Sequence, residues 1–194
     1  ERVKNNIYVR NYIKTEAGED KPQSNLSARY TITLPENCPV YVKNYFGETN
    51  VQNLTNQLRI ASEFSKIGLK NIQGKINMRT RFGDIKGEQL DGTVSINSRR
   101  SNILLQDIKG TYDITAHYGK IEIFAEQHLI NLDIDAEKSD VAFHTSRPGI
   151  YGYNLTADNG SITVPTSMNF HFLEDTDVLK KVSFQPPAQE YFAS

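Results

Sequence analysis

Phe46, Phe64, Phe82, Arg100, Tyr118 and Lys138 each stand immediately before a small residue, and the first five are spaced 18 residues apart. Aromatic rings interleaved with cations at a fixed spacing offer two chemistries. One is a rigid platform on which sugar rings stack. The other is internal, with Arg100 sandwiched between Phe82 and Tyr118 in cation–π contact. Arg79, Arg81, Arg99 and Arg100 add a basic patch on neighbouring repeats. Guanidinium groups fork onto carboxylates, so an acidic polysaccharide suits that patch. Pairing of Arg81 or Arg99 with Glu63 in a solvated face is the simpler use of the same residues. Phe82, Arg99, Arg100, Tyr118, Arg79 and Arg81 are therefore the candidate ligand-binding residues.

A second group comes from two insertions at one corner of the repeat, at 125–128 and 144–148. They bring His128, His144 and Arg147 together, with Asp107 one repeat below. Insertions gathered on one side mark a working surface. His and carboxylate groups suit divalent ions, and Asp113, Asp133 and Asp135 also gather on adjacent repeats. No ligand spacing supports a metal site, and no metal, cofactor or catalytic residue is assigned.

These residues are positioned by a repeat. The small residues Gly47, Ser65, Gly83, Ser101 and Gly119 are separated by four identical gaps of 18, and Ser139 and Gly160 follow at gaps of 20 and 21. A fixed short period is the mark of a solenoid. Within each repeat two windows alternate apolar and polar residues, such as Ile85/Gly87, Ile103/Leu105 and Ile121/Ile123 after the small residue, and Ile76/Met78, Val94/Ile96 and Tyr112/Ile114 before it. Period two means strand, with one face buried. A further apolar residue (Leu54, Ile72, Leu90, Ile108) stands between the windows, often followed by the glycine of a tight bend. A left-handed hexapeptide helix would need an apolar residue every six positions; from Ile85 that demands Asp91 and Asn97, and the pattern fails. The expectation is an all-β, single-domain β-solenoid of about seven coils, right-handed or flattened. Ile85, Ile103 and Ile121 should be vertical neighbours. The outward column Glu48, Lys66, Asp84, Asn102, Lys120, Asp140 largely alternates in sign, so its exposed neighbours should attract, each pair contributing at most about 1 kcal/mol.

Solenoid ends need covering. Residues 1–39 hold two strand-like runs, "NNIYVRNYI" and "SARYTITLP", around a polar loop, and are expected to form an N-terminal cap. Residues 40–165 form the repeats, and 166–194 a C-terminal cap and tail. The chain opens at Glu1 without a methionine or a signal-peptide pattern, and the expectation is a start removed by processing or trimming.

Composition closes off several classes. Charged residues make up 23% and cancel to a net −1, so no global field points to nucleic acid. No apolar run approaches the roughly 20 residues of a membrane span. Cys38 is the only cysteine, which excludes a disulfide framework and a cysteine zinc site. The run "ARYTITLPENCPVYVKNYFGETNVQNL", followed by "IKG" and "LDG" coils, resembles the bacterial β-strand-repeat domains of unknown function that are classed as adhesins, over about residues 28–165. The resemblance implies a β-solenoid and an extracytoplasmic setting: periplasmic, outer-membrane-associated or secreted. It carries no catalytic residues. The expected function is a non-catalytic binding or surface protein recognising a polysaccharide or an envelope protein. The alternatives are a carbohydrate-active lyase or hydrolase, since larger β-helices host such enzymes, and a purely structural envelope role. The Asn-Thr-Asp and Gly-His-Gly runs of polygalacturonases are absent.

Overall fold

A computed structural model describes residues 2–3, 6–10, 18, 27–125 and 130–186. The chain divides into two units, Glu1–Pro35 and Glu36–Ser194. In the first, β1 (Arg2–Val3) and β2 (Asn6–Ile7) pair antiparallel. Residues 27–35, expected to be a strand, carry none, and Tyr30 and Ile32 are exposed. Apolar alternation makes a strand only where a neighbour supplies ladder hydrogen bonds.

The second unit is the solenoid. Its strands are β3 (Val40–Asn44), β4 (Gly47–Leu54), β5 (Leu58–Glu63), β6 (Ser65–Arg81), β7 (Ile85–Arg99), β8 (Ile103–Gln106), β9 (Lys109–Phe124) and β10 (Ile130–His144). All their pairings are parallel and in register, and up to β9 the register advances by 18 residues. β9 and β10 keep register at a step of 20, as in Ile114↔Ile134 and Ile121↔Val141. Ile67, Ile85, Ile103 and Ile121 stand directly over one another, as do Leu58, Ile76, Val94 and Tyr112. Each coil has two faces. Face A carries positions such as 76–81 and face B positions such as 65–72. The alternating apolar residues of both faces point inward and fill a continuous core.

Two core details follow from side-chain size. Tyr112 is fully buried, and its hydroxyl donates to the Leu90 carbonyl at 2.9 Å. Burial, together with the nearby Asp91 charge, holds its phenol protonated far above the usual tyrosine range. Gly87 occupies an inward position because a Cβ there would press on Leu90 and Leu105 at 2.7 and 2.9 Å. Beside the apolar columns runs a buried hydroxyl column, Ser62–Thr80–Ser98, continued by Ala116 and Ala136. Its oxygens have no hydrogen-bond partner, a cost the surrounding core must offset.

The corner positions alternate strictly between glycine and serine, from Gly47 to Ser139. A Cβ on Gly83 would run into the Ser65 carbonyl, and one on Gly119 into that of Ser101. The serines turn inward: Ser65 and Ser139 donate to the carbonyls of Glu63 and Glu137 at 2.8 and 2.9 Å. Ser101 donates to the Arg99 carbonyl at 3.1 Å and accepts the Gly83 N–H at 3.2 Å.

The parallel ladder ends at His144, giving about six coils. The seventh small residue, Gly160, and the pair Ile162/Val164 lie outside it, in a segment without strand. There the chain forms a separate antiparallel sheet, ordered β11 (Tyr153–Asp158), β13 (Leu179–Phe184), β12 (His171–Asp175). Tyr151, Tyr153, Phe170 and Phe184 make an aromatic cluster, and Tyr151 and Tyr153 meet Phe143 of the last coil edge-on at 5.5 and 6.3 Å. Partial burial pushes the Tyr153 phenol up to about 12. Alternation alone does not distinguish a coil that stacks in parallel from a strand that turns back.

Candidate functional site

The corner column of aromatics and cations is a continuous ladder on the outside of the solenoid. Phe46 stacks on Phe64 at 5.5 Å and Phe64 on Phe82 at 4.8 Å, with interplanar angles of 10° and 2°. The Arg100 guanidinium lies 5.6 Å from the Phe82 ring centre and 5.8 Å from that of Tyr118. Lys138 completes the ladder, with its Nζ 5.3 Å from the Tyr118 ring centre and donating to the Tyr118 hydroxyl at 3.3 Å. That phenol raises the Lys138 pKa. All six residues are exposed.

This geometry refines the sequence expectation. Phe82 and Tyr118 point outward, but their faces are covered by neighbouring rungs. The surface meets solvent with ring edges, where the aromatic quadrupole is positive. A sugar cannot stack flat on an inner rung. Ring edges and guanidinium groups together make a strip suited to anionic groups.

The backbone beneath the ladder is unusual. Phe64, Phe82, Arg100, Tyr118 and Lys138 all have left-handed backbone, with φ between 49° and 59°. That region disfavours bulky side chains. The opposite corner uses the same conformation at Asn53, Asn71, Gln89 and Asp107, mostly residues that tolerate it.

Arg79, Arg81 and Arg99 point outward from face A and are exposed. Arg81 and Arg99 are register partners, each with Glu63 or His117 on its other side. No ion pair joins Arg81 or Arg99 to Glu63; at the other end of that column Glu137 contacts His117 at 2.9 Å. The Glu48–Lys66–Asp84 column also differs from its expected ion-pair ladder. Glu48 accepts from Asn50 at 2.8 Å, Asp84 from the Asn102 backbone N–H at 3.1 Å, and Asn102 from that of Lys120 at 3.0 Å. Asp84 and Asn102 thus each take a backbone donor of the next coil, and Glu48 a side-chain amide of its own coil. A shallow depression lies between this column and the ladder, bordered by Phe64, Lys66, Phe82, Asp84 and Arg100.

The insertion corner is less organised for chemistry. His128 lies outside the described residues. His144 stacks on Phe124 at 4.4 Å and 11°, and Arg147 caps a short 3-10 turn at Pro148–Ile150. Among the described residues no group of three or more His, Cys, Asp or Glu is arranged to hold a metal. Cys38 is a half-buried free thiol. No helix among them is long and apolar enough to cross a membrane.

Parallel in-register coils around a packed apolar core define a β-solenoid repeat domain. The Toastrack DUF4097 family model matches residues 7–183, and the chain belongs to that family. Comparisons with curated proteins and with solved structures give no match.

Proposed function

We propose that the protein is a non-catalytic, extracytoplasmic binding module, and that its ligand is an elongated anionic polymer such as an acidic polysaccharide, laid along the corner ladder. One observation carries this reading: bulky aromatics and cations fill a left-handed corner that the fold elsewhere fills with Asn, Gln and Asp. Conformation does not call for them, so something else does. Phe82, Arg100 and Tyr118 supply positive ring edges and a guanidinium, and Arg79, Arg81 and Arg99 extend the cationic strip onto face A. The strip is built on paired strands, so little ordering entropy opposes binding. An adhesin-like surface role follows if the polymer belongs to a cell envelope or matrix.

The test is Arg99→Ala combined with Arg100→Ala, titrated against acidic and neutral polysaccharides by calorimetry. The parent should bind an acidic polymer with salt-sensitive affinity, and the double variant should lose at least about tenfold, the loss of one or two charge-assisted contacts. Equal binding by both overturns the site. Turnover of any polysaccharide by the parent overturns the non-catalytic assignment.

A further inference from the structure

Face A has a feature that the ladder does not explain: its outward charges are sorted by rung. Lys43, Arg59, Arg79, Arg81 and Arg99 occupy the first four rungs, joined by a single acid, Glu63. Asp113, Asp133, Asp135 and Glu137 occupy the last two, joined by His117. Face B shows no such sorting, since Lys70 pairs with Glu88 at 3.3 Å and Lys120 with Glu122 at 2.8 Å. Two of the face A cations are held in place by rings, Lys43 over Tyr45 at 5.1 Å and Arg59 over Tyr41 at 5.5 Å.

We infer that face A is a self-complementary docking surface whose partner is a second copy of this chain, packed antiparallel. A two-fold axis parallel to the strands reverses the rung order and keeps each column facing itself, as an isologous contact requires. Lys43 then faces Asp135 of the second copy, and Arg59 faces Asp113. Glu63 faces His117, which keeps its own contact with Glu137. Arg79 faces Asn97. Only the centre is unfavourable, where Arg81 faces Arg99. The other face-to-face two-fold, along the solenoid, keeps each rung facing itself: Lys43, Arg79 and Asp135 would meet their own copies and Asp133 would meet Glu137, with Arg59 against Glu63 and Asp113 against His117 as the favourable pairs.

Six rungs of three outward residues span roughly 24 Å by 20 Å from strand spacing and rise. That is about 500 Å², below the ~800 Å² per partner of a standard interface, so the dimer is weak and electrostatic. A dissociation constant of about 100 µM at low ionic strength is expected.

Sedimentation equilibrium of the full chain up to about 1 mM tests this. At low salt a monomer–dimer equilibrium should appear, weakened about tenfold or more at ~0.5 M NaCl, where charges are screened beyond a few ångströms. Arg59→Asp or Asp113→Arg alone should abolish the dimer, and the two together should restore it. Arg81→Gln should tighten it by removing the central repulsion. In a Cys38→Ser background, Lys43→Cys with Asp135→Cys should form a disulfide-linked dimer on mild oxidation. A monomer at 1 mM in low salt, a dimer indifferent to Arg59→Asp, or a charge swap that fails to restore it overturns the inference. The dimer would cover Arg79, Arg81 and Arg99, which the polysaccharide reading also uses; the Arg59/Asp113 charge swap alters none of the residues of that strip, so it tests the dimer without changing the polysaccharide site.

Discussion

Two columns of left-handed backbone run up the solenoid, one at each side of face B, and they are filled by opposite kinds of side chain. At one corner Asn71 donates to Asn53 at 2.8 Å, and Gln89 and Asp107 continue the column. At the other, Phe64, Phe82, Arg100, Tyr118 and Lys138 hold the same φ with side chains that it strains. The amide corner shows what the turn needs when only the turn matters. The ladder corner departs from that solution on every coil, and stacking recovers part of the cost, at about 0.5–1.5 kcal/mol per aromatic pair.

Three substitutions break or sharpen this comparison. The largest effect is expected at Gly83→Ala, where the new Cβ meets the Ser65 carbonyl. Backbone must move across two coils, and a loss of about 3 kcal/mol is expected by urea denaturation. Wild-type stability there would mean that the ladder corner has slack, and that its alternating glycines are not a steric requirement. Next is Phe64→Asn, which removes two ring stacks and regains about 1 kcal/mol of backbone ease, for a net loss of about 1 kcal/mol. If that variant is more stable than the parent, stacking does not sustain the ladder and the reason for its side chains lies outside fold stability. Smallest is Asn71→Gly at the amide corner, expected to change stability by less than about 0.5 kcal/mol, because glycine is at ease at positive φ. A loss above about 1 kcal/mol would show that the Asn53–Asn71 contact is structural and that the corners are more alike than their side chains imply.

Most of the architecture was legible in the sequence. The 18-residue period placed Ile85, Ile103 and Ile121 over one another because stacking allows only one residue per rung at each position. It also picked out the ladder residues. What it left hidden depends on direction and rotation. Alternation at Ile162 and Val164 reads like another coil, yet the chain there leaves the ladder, and β11 pairs antiparallel with β13. Ring orientation depends on rotamers: the spacing offers Arg100 between Phe82 and Tyr118 as one reading, and the structure has it, while the Phe46–Phe64–Phe82 stack and the outward direction of the rings are not in the sequence. The positive φ of Phe82 and Tyr118 has no signal in residue type. Only their shared position with the other corner residues, one before each small residue, could have revealed it. Ser62, Thr80 and Ser98 share the 18-residue spacing and were still missed, because polar residues are not sought in a core. The position of the insertions groups His144 with His128 and Arg147, but its ring is engaged with Phe124.

The alternation of glycine and serine at the corner has a consequence for how such a molecule can change length. The Ser65 carbonyl fills the space a Cβ on Gly83 would take, and the Ser101 carbonyl that of a Cβ on Gly119. Ser101 in turn takes up the Gly83 N–H. Neighbouring coils are therefore not equivalent, although their strands are. Deleting one coil would set glycine over glycine, as Gly74, Gly92 and Gly110 already stand at another corner, or serine over serine, and would remove the Ser101–Gly83 contact. Deleting two adjacent coils would preserve it. At this corner the structural unit is thus a pair of coils, and an engineered chain shortened by two coils should keep the Ser–Gly contact that one shortened by a single coil loses.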